Sequence, residues 1–215
     1  DDGGNFELST MYHSIILEDL LDIINIHNLY NYDINSDVQN IVSKMLYWLL
    51  SMCHPDGEIS FFNDSALNIT PSTNELVEYA KNLGFKKPKT ADGLTNFKES
   101  GYSRVTIGNA VAIVDRAKVG PDYLPGHAHA DTLSFELSIY GQRVVVNSGT
   151  SIYGISKERL RQRGTAAHAT AIINNQDSSE VWSGFRVARR AKVFDVESLT
   201  NKKIYLSAKH DGYKR

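Results

Sequence analysis

Near Gly101 the spacing of apolar residues changes, and that change limits the folds open to this chain of 215 residues. Before it, apolar side chains recur at intervals of three and four; after it, they alternate. Helices first and strands second imply two segregated layers or domains rather than the alternating units of a parallel sheet. The length suits one large domain or two small ones with a real core.

The helical part carries three segments with their own start signals. Ser9 is placed to cap a helix in which Met11, Tyr12, Ile15, Ile16, Leu20, Ile23 and Ile24 keep a helical spacing. A second starts at Ser36 with Gln39 as capping-box partner, and its apolar stripe runs from Val38 through Leu49 towards His54-Pro55, where proline stops it. A third starts at Ser72 with Glu75 in the same relation and ends at Gly84, a left-handed C-cap. Three such helices do not close a bundle comfortably and read as part of a larger helical array.

Strands are expected over Tyr102 to Ile107 and Ala110 to Asp115, around the Gly108-Asn109 turn. Leu133, Phe135, Leu137 and Ile139 alternate with Thr132, Ser134, Glu136 and Ser138, the pattern of a half-buried antiparallel strand. Arg143 to Asn147, Ala166 to Ile173, Phe185 to Val196 and Lys203 to Lys209 fit further strands. Lys86 to Ser100, with Pro88 and Gly93, reads as linker. The expected organisation is helical over 1–88, a linker over 89–100 and antiparallel strands over 101–215, which the resemblance named below makes a β-sandwich.

Composition narrows the function. An apolar share of 41%, a charged share of 22% and a net charge of −2 argue against a disordered chain or a bulk polyanion binder. The single cysteine, Cys53, excludes an intrachain disulfide framework and a multi-cysteine zinc site. No apolar run approaches the ~20 residues that cross a bilayer. Asp1-Asp2-Gly3-Gly4 lacks the segments of a signal peptide, and without an initiator methionine the chain reads as a mature product or a fragment. Residues 1–80 hold 13 acidic side chains and one basic, whereas residues 157–215 hold 13 basic and six acidic. The basic half can attract an anionic ligand, or the two halves are simply solvated faces of different sign.

The densest local chemistry is Gly126-His127-Ala128-His129-Ala130-Asp131. In an extended strand two such histidines point to one face, roughly 6–7 Å apart, and can share a metal or divide metal and substrate work. They can equally be surface or backbone-bonded histidines. Asn147 can return beside His129 across a hairpin, and His168 opens another expected strand. Zinc prefers nitrogen, sulfur and carboxylate ligands, so the uncharged amide of Asn147 weakens that set. Tyr12 falls near the third position of the first helix, where the helix dipole lowers a phenol pKa by less than about one unit. Its alternative is a tyrosine packed between helices.

Taken together the motifs resemble the heparinase II/III-like polysaccharide lyases. The stretches that carry the resemblance are 2–13 (Asp-Gly-Gly-Asn-Phe-Glu-Leu-Ser-Thr-Met-Tyr-His), His54-Pro55-Asp56-Gly57, 120–131, Asn147-Ser148-Gly149-Thr150, 163–168 and Trp182-Ser183-Gly184-Phe185-Arg186. The resemblance implies an α+β multidomain architecture, here the C-terminal helices of an α/α toroid followed by part of an antiparallel β-sandwich. It implies β-elimination on a uronic-acid-containing polysaccharide, with Tyr12 as acid and His127 as base, or Tyr12 as both for a substrate of opposite stereochemistry. His129 and His168 look like zinc ligands, with Asn147 where an aspartate is usual, and the zinc would be structural. Tyr153 and Arg163 match positions near the cleft and are candidate substrate contacts. Arg159, Arg161 and Arg163 form a cluster suited to carboxylates or sulfates, or are simply a solvated loop. Ser151 stands where a tyrosine is common and Ala169 where an asparagine often follows the histidine. The group that neutralises the substrate carboxylate is expected upstream of these residues. An acidic polysaccharide is the implied partner, nucleic acid is not, and a periplasmic or secreted location follows by the same resemblance.

Two other readings are weighed. A metal-dependent cupin also presents His-x-His, but its glutamate four or five residues after the second histidine is replaced here by Leu133 and Ser134. A non-catalytic glycan-binding or polysaccharide-assembly protein on a lyase scaffold is favoured by Asn147 and Ser151. The lyase reading requires Tyr12 and His127 to meet at opposite ends of one cleft.

Overall fold

The computed structural model describes residues 2–214; Asp1 and Arg215 lie outside the described residues. Helix α1 (Thr10–Leu29) begins where Ser9 caps it, the hydroxyl accepting from the Tyr12 N–H. Helix α2 (Ser36–Ser51) is capped one residue earlier than expected: Asn35 Oδ1 accepts from the Asp37 N–H at 2.8 Å, in place of a Ser36–Gln39 box. It also ends at Ser51, before Pro55 is reached, because the chain turns there into a short bridge between Cys53 and Ile59. Helix α3 (Thr73–Asn82) realises the Ser72–Glu75 capping box, and Gly84 takes the left-handed conformation that ends it. Leu17 and Leu21 of α1, Leu46 and Leu49 of α2 and Leu76 of α3 close one apolar core. Burying each such side chain contributes roughly 1.5–3 kcal/mol.

Five antiparallel strands follow in sequence order: β1 (Gly93–Asn96), β2 (Tyr102–Ile107), β3 (Ala110–Asp115), β4 (Phe135–Ile139) and β5 (Gln142–Val145). The β2–β3 hairpin has the expected bounds. Strand β1 lies inside the stretch expected to be linker; four residues are too few to show a period, and its partner β2 supplies the ladder.

Strand β4 departs from its pattern. Leu133 adopts a left-handed φ of 60°, so the strand begins only at Phe135. Its burial is also reversed, with Glu136 and Ser138 fully buried while Phe135 and Ile139 are exposed. The cause is His54, whose Nδ1 lies 2.6 Å from Ser138 Oγ and whose Nε2 lies 2.7 Å from Glu136 Oε2. Glu136 Oε1 accepts in addition from the N–H groups of Phe61 and Asn147 at 2.8 and 3.2 Å. A satisfied polar clamp thus joins the helical layer to the sheet where alternation predicts an apolar one.

The last third differs more. Residues 166–173 form no strand; a helix α4 (Lys157–Arg163) and one 3₁₀ turn (Thr165–Ala167) come instead. The strand expected over 185–196 is divided between two ribbons, β6 (Val181–Trp182) with β7 (Arg186–Val187), and β8 (Val193–Thr200) with β9 (Ile204–His210). Small residues such as Ala166, Ala167 and Ala169 carry little strand preference, and the chain there is fixed by tertiary bonds. Thr165 Oγ1 donates to the Ala130 carbonyl at 2.7 Å and accepts from the Ser178 N–H at 2.9 Å. No helix among the described residues is long and apolar enough to cross a membrane.

Residues 2–9 bind both layers. Asp2 Oδ2 accepts from the N–H groups of Glu99 and Ser100, each at 2.9 Å, and the Leu8 carbonyl accepts from Asn63 Nδ2 and the Tyr102 hydroxyl, each at 2.9 Å. The Asn5 N–H donates to Nδ1 of buried His13 at 3.3 Å, so Nε2 carries the ring hydrogen and donates to the Met45 carbonyl at 3.0 Å. Burial, partly offset by that carbonyl, lowers the His13 pKa to about 4.

A depressed histidine pKa means that the unfolded chain takes up a proton near pH 6.5 that the folded chain refuses until about pH 4. His13 therefore leaves stability unaffected above that window and removes about 3 kcal/mol as pH falls through it. Urea melts between pH 7 and 4 should show a steeper loss for the native protein than for His13→Gln. Parallel curves would refute the assignment.

Candidate active site

Tyr12, on the first turn of α1, and His127 come together. Their rings stack with centroids 4.0 Å apart and planes 6° from parallel. They do not flank a gap from opposite ends but lie face to face. Residues 126–131 form a loop and not the strand expected, which sends the two histidines of His-x-His in different directions.

His127 Nδ1 lies 3.0 Å from Glu7 Oε1. A carboxylate can only accept, so Nδ1 carries the hydrogen and Nε2 is left as the basic nitrogen. Glu7 is in turn held by its own N–H, which donates to Asn5 Oδ1 at 2.9 Å. The Tyr12 hydroxyl is 3.0 Å from the hydroxyl of Tyr153, and Tyr153 stacks on Phe185 at 5.9 Å. Burial raises the Tyr12 pKa above its ordinary value, Asp64 and Glu7 add to it, and the Tyr153 bond and Arg159 only partly offset it. Tyr12 thus stands as a neutral phenol with a proton to give.

His129 faces inward and is fully buried, with Nε2 2.7 Å from Asp64 Oδ1. Asp64 also receives the guanidinium of Arg159 through both carboxylate oxygens. Burial pushes the Asp64 carboxyl up, but the bonds from His129 and Arg159 prevail and hold it below the usual range. Arg159 has no exposed surface and lies over the rings of Tyr153 and Phe185. Arg163, expected to meet substrate, is equally buried; its guanidinium donates to the Ala128 carbonyl at 2.9 Å and fixes the histidine loop from behind. Arg161 is paired with Glu158 on the surface of α4. The cluster therefore acts as scaffolding, since the guanidiniums of Arg159 and Arg163 are buried against protein oxygens and that of Arg161 is paired with Glu158.

His168 lies 5.2 Å from His129, ring centre to ring centre. Burial, and then the charge of His129, keep its pKa well below the ordinary value; the Gln162 carbonyl acts in the opposite sense without completing a hydrogen bond. Both of its nitrogens and Nδ1 of His129 are buried with no hydrogen-bond partner among the described residues. The two nitrogens of His168 and Nδ1 of His129, unsatisfied side by side, are donors of the kind that zinc takes. Asn147 is close by in the chain of contacts, its Oδ1 accepting from the Ala169 N–H at 3.0 Å and its N–H from the backbone donating to Glu136. Among the described residues no group of three His, Cys, Asp or Glu side chains is placed to hold a metal, so an amide would have to serve as the third donor.

The sequence pattern did not single out two members of this site. Glu7 lies in the stretch that carries the family resemblance, but its partner is 120 residues away. Asp64 sits in no local motif at all. Neither contact has a signal in spacing.

Two family models cover the chain end to end: the heparinase II/III N-terminus over residues 1–89 and the heparinase II/III-like C-terminal domain over residues 89–215. The chain belongs to the heparinase II/III-like family. A curated relative, the heparin-sulfate lyase of Bacteroides stercoris, is 26% identical over 208 residues, covering 85% of this chain and 30% of that protein. The crystal structure of heparinase III superimposes with a TM-score of 0.78 at 19% identity, over 99% of this chain and 37% of that one. Heparan sulfate lyase HepC of Pedobacter heparinus gives 0.72 at 20% identity, over 99% of this chain and 35% of that one. This heparinase II/III-like chain thus spans about a third of the length of these relatives and shares their α+β fold, helices before antiparallel sheets.

Proposed function

We propose that this chain supplies the acid–base pair of a polysaccharide lyase that cleaves a uronic-acid-containing polysaccharide by β-elimination. The observation that carries the reading is the Tyr12–His127 stack, because it joins a phenol from the helical layer to an imidazole from the sheet layer at one point. The names of the relatives add heparin or heparan sulfate as the substrate class to try first.

The reaction needs a base to remove the proton beside the uronate carboxylate and an acid to protonate the departing glycosidic oxygen. With Nδ1 committed to Glu7, His127 offers Nε2 as the base. Tyr12, kept protonated by burial, offers the acid, and Tyr153 lies within hydrogen-bond distance to share the charge left on its oxygen. Charge growing on the uronate must be stabilised as well, by a donor the rest of the enzyme contributes.

A zinc ion held by the imidazoles of His129 and His168, with the Asn147 amide, belongs to the same proposal. When bound, it would fix the loops that carry His127 and His168. Purified enzyme should then contain about one zinc per chain, and His168→Ala should lose it. Metal-free protein with unchanged stability would rule the ion out.

The overall reading is tested by incubating the intact enzyme with uronate polymers and following the ultraviolet absorbance of the unsaturated product. Binding without product on every polymer would favour the non-catalytic glycan-binding alternative, for which Asn147 and Ser151 speak. A periplasmic or secreted location is proposed on the same footing, since polymers of this class lie outside the cytoplasm.

A further inference from the structure

Of the described arginines, Arg186 alone has a side chain with no hydrogen-bond or ion-pair partner. Arg104, Arg116, Arg143, Arg159, Arg161, Arg163, Arg189 and Arg190 are all engaged. Arg186 is also exposed, at the start of β7, and it lines a cavity of about 470 Å³ whose wall includes His127. That volume lies in the range of about 300–1,000 Å³ typical of small-molecule pockets.

The cavity is built, not incidental. The turn that presents Arg186 is pinned by both buried arginines: Arg159 Nε donates to the Gly184 carbonyl at 3.0 Å and Arg163 Nη1 to the Ser183 carbonyl at 3.4 Å. Gly184 is packed so closely on Gly154 that a Cβ would lie 2.6 Å from the Gly154 carbonyl oxygen. Phe185, on the same turn, keeps part of its ring exposed and meets the His127 ring edge-on at 6.3 Å. A flat apolar face and one free guanidinium, beside the basic imidazole, match a pyranose ring that bears an anionic group. Arginine takes carboxylate or sulfate through two parallel hydrogen bonds.

We propose that this cavity is a saccharide subsite adjoining the Tyr12–His127 pair, and that Arg186 binds the carboxylate or sulfate of the sugar next to the one being cleaved. The proposal rests on the lyase reading. Because the Arg186 side chain makes no hydrogen bond or ion pair, Arg186→Gln and Arg186→Lys should melt with the native protein. In the intact enzyme Arg186→Gln should raise KM about tenfold or more, and raise it further than it lowers kcat. Arg186→Lys should recover part of that loss, since it restores charge without the fork.

A loss on sulfated heparan alone assigns a sulfate, and an equal loss on the unsulfated polymer assigns the carboxylate. Unchanged KM on both polymers would overturn the subsite. If the native enzyme cleaves neither polymer, the lyase reading fails separately. The subsite is then judged by calorimetric affinity for heparin: weaker binding by Arg186→Gln upholds an anion site, and equal binding refutes it.

Discussion

Phenylalanine in place of Tyr12 is expected to lower kcat by about 10²–10⁴-fold with the fold intact. The substitution keeps the ring that stacks on His127 at 4.0 Å and removes only the hydroxyl. What is lost is the proton that burial holds on the phenol, together with its bond to Tyr153. A KM close to native would show that the hydroxyl acts in the transition state and not in binding. The measurement is the rate of unsaturated product formation by the intact enzyme, with a thermal melt as control. Activity near the native level would remove Tyr12 from the mechanism and leave His127 without its partner.

Asp64→Ala should destabilise the protein by about 3–5 kcal/mol. The loss comes from leaving a charged group buried without its counterion. Asp64 and Arg159 have no exposed surface, and the carboxylate is the charged partner of Arg159 and the bond partner of His129. Asp64 thereby joins the loop after α2 to α4 and to the histidine loop. Adding Arg159→Met should recover a large part of the loss, because the uncompensated guanidinium is then gone. Denaturant unfolding of the single and double variants measures both effects. A single variant as stable as the native protein would show that the triad is not fixing the fold.

Much of the framework was legible in the chain. Ser9, Ser72 with Glu75, and Gly84 act through bonds to residues within a few positions, so helix ends could be read from local chemistry. The Gly108-Asn109 hairpin is local for the same reason. Where two caps compete, as at Asn35 and Ser36, local rules did not separate them.

The reversal of β4 shows where such reading stops. Its apolar residues alternate correctly, but His54 arrives from the helical layer to satisfy Glu136 and Ser138, and the polar face becomes the buried one. Alternation fixes which residues share a face and cannot say which face is covered. The site behaves in the same way. Tyr12 and His127 were identifiable by type and by motif, whereas the arginines of α4 were misjudged because their charge suggests a surface role. Their burial against Asp64 and the Ala128 carbonyl depends on contacts 35 and 95 residues apart.

Sequence alone settled the order of layers, the caps of α1 and α3 and the motifs that carry Tyr12 and His127, since each depends on side-chain type or on neighbours a turn away. The tertiary structure alone decided that the Tyr12 and His127 rings stack, that Glu7 sets the tautomer of His127, and that, among the described residues, the Arg186 guanidinium is left without a partner. Those outcomes depend on which distant groups fill each other's hydrogen bonds, and no spacing along the chain encodes that.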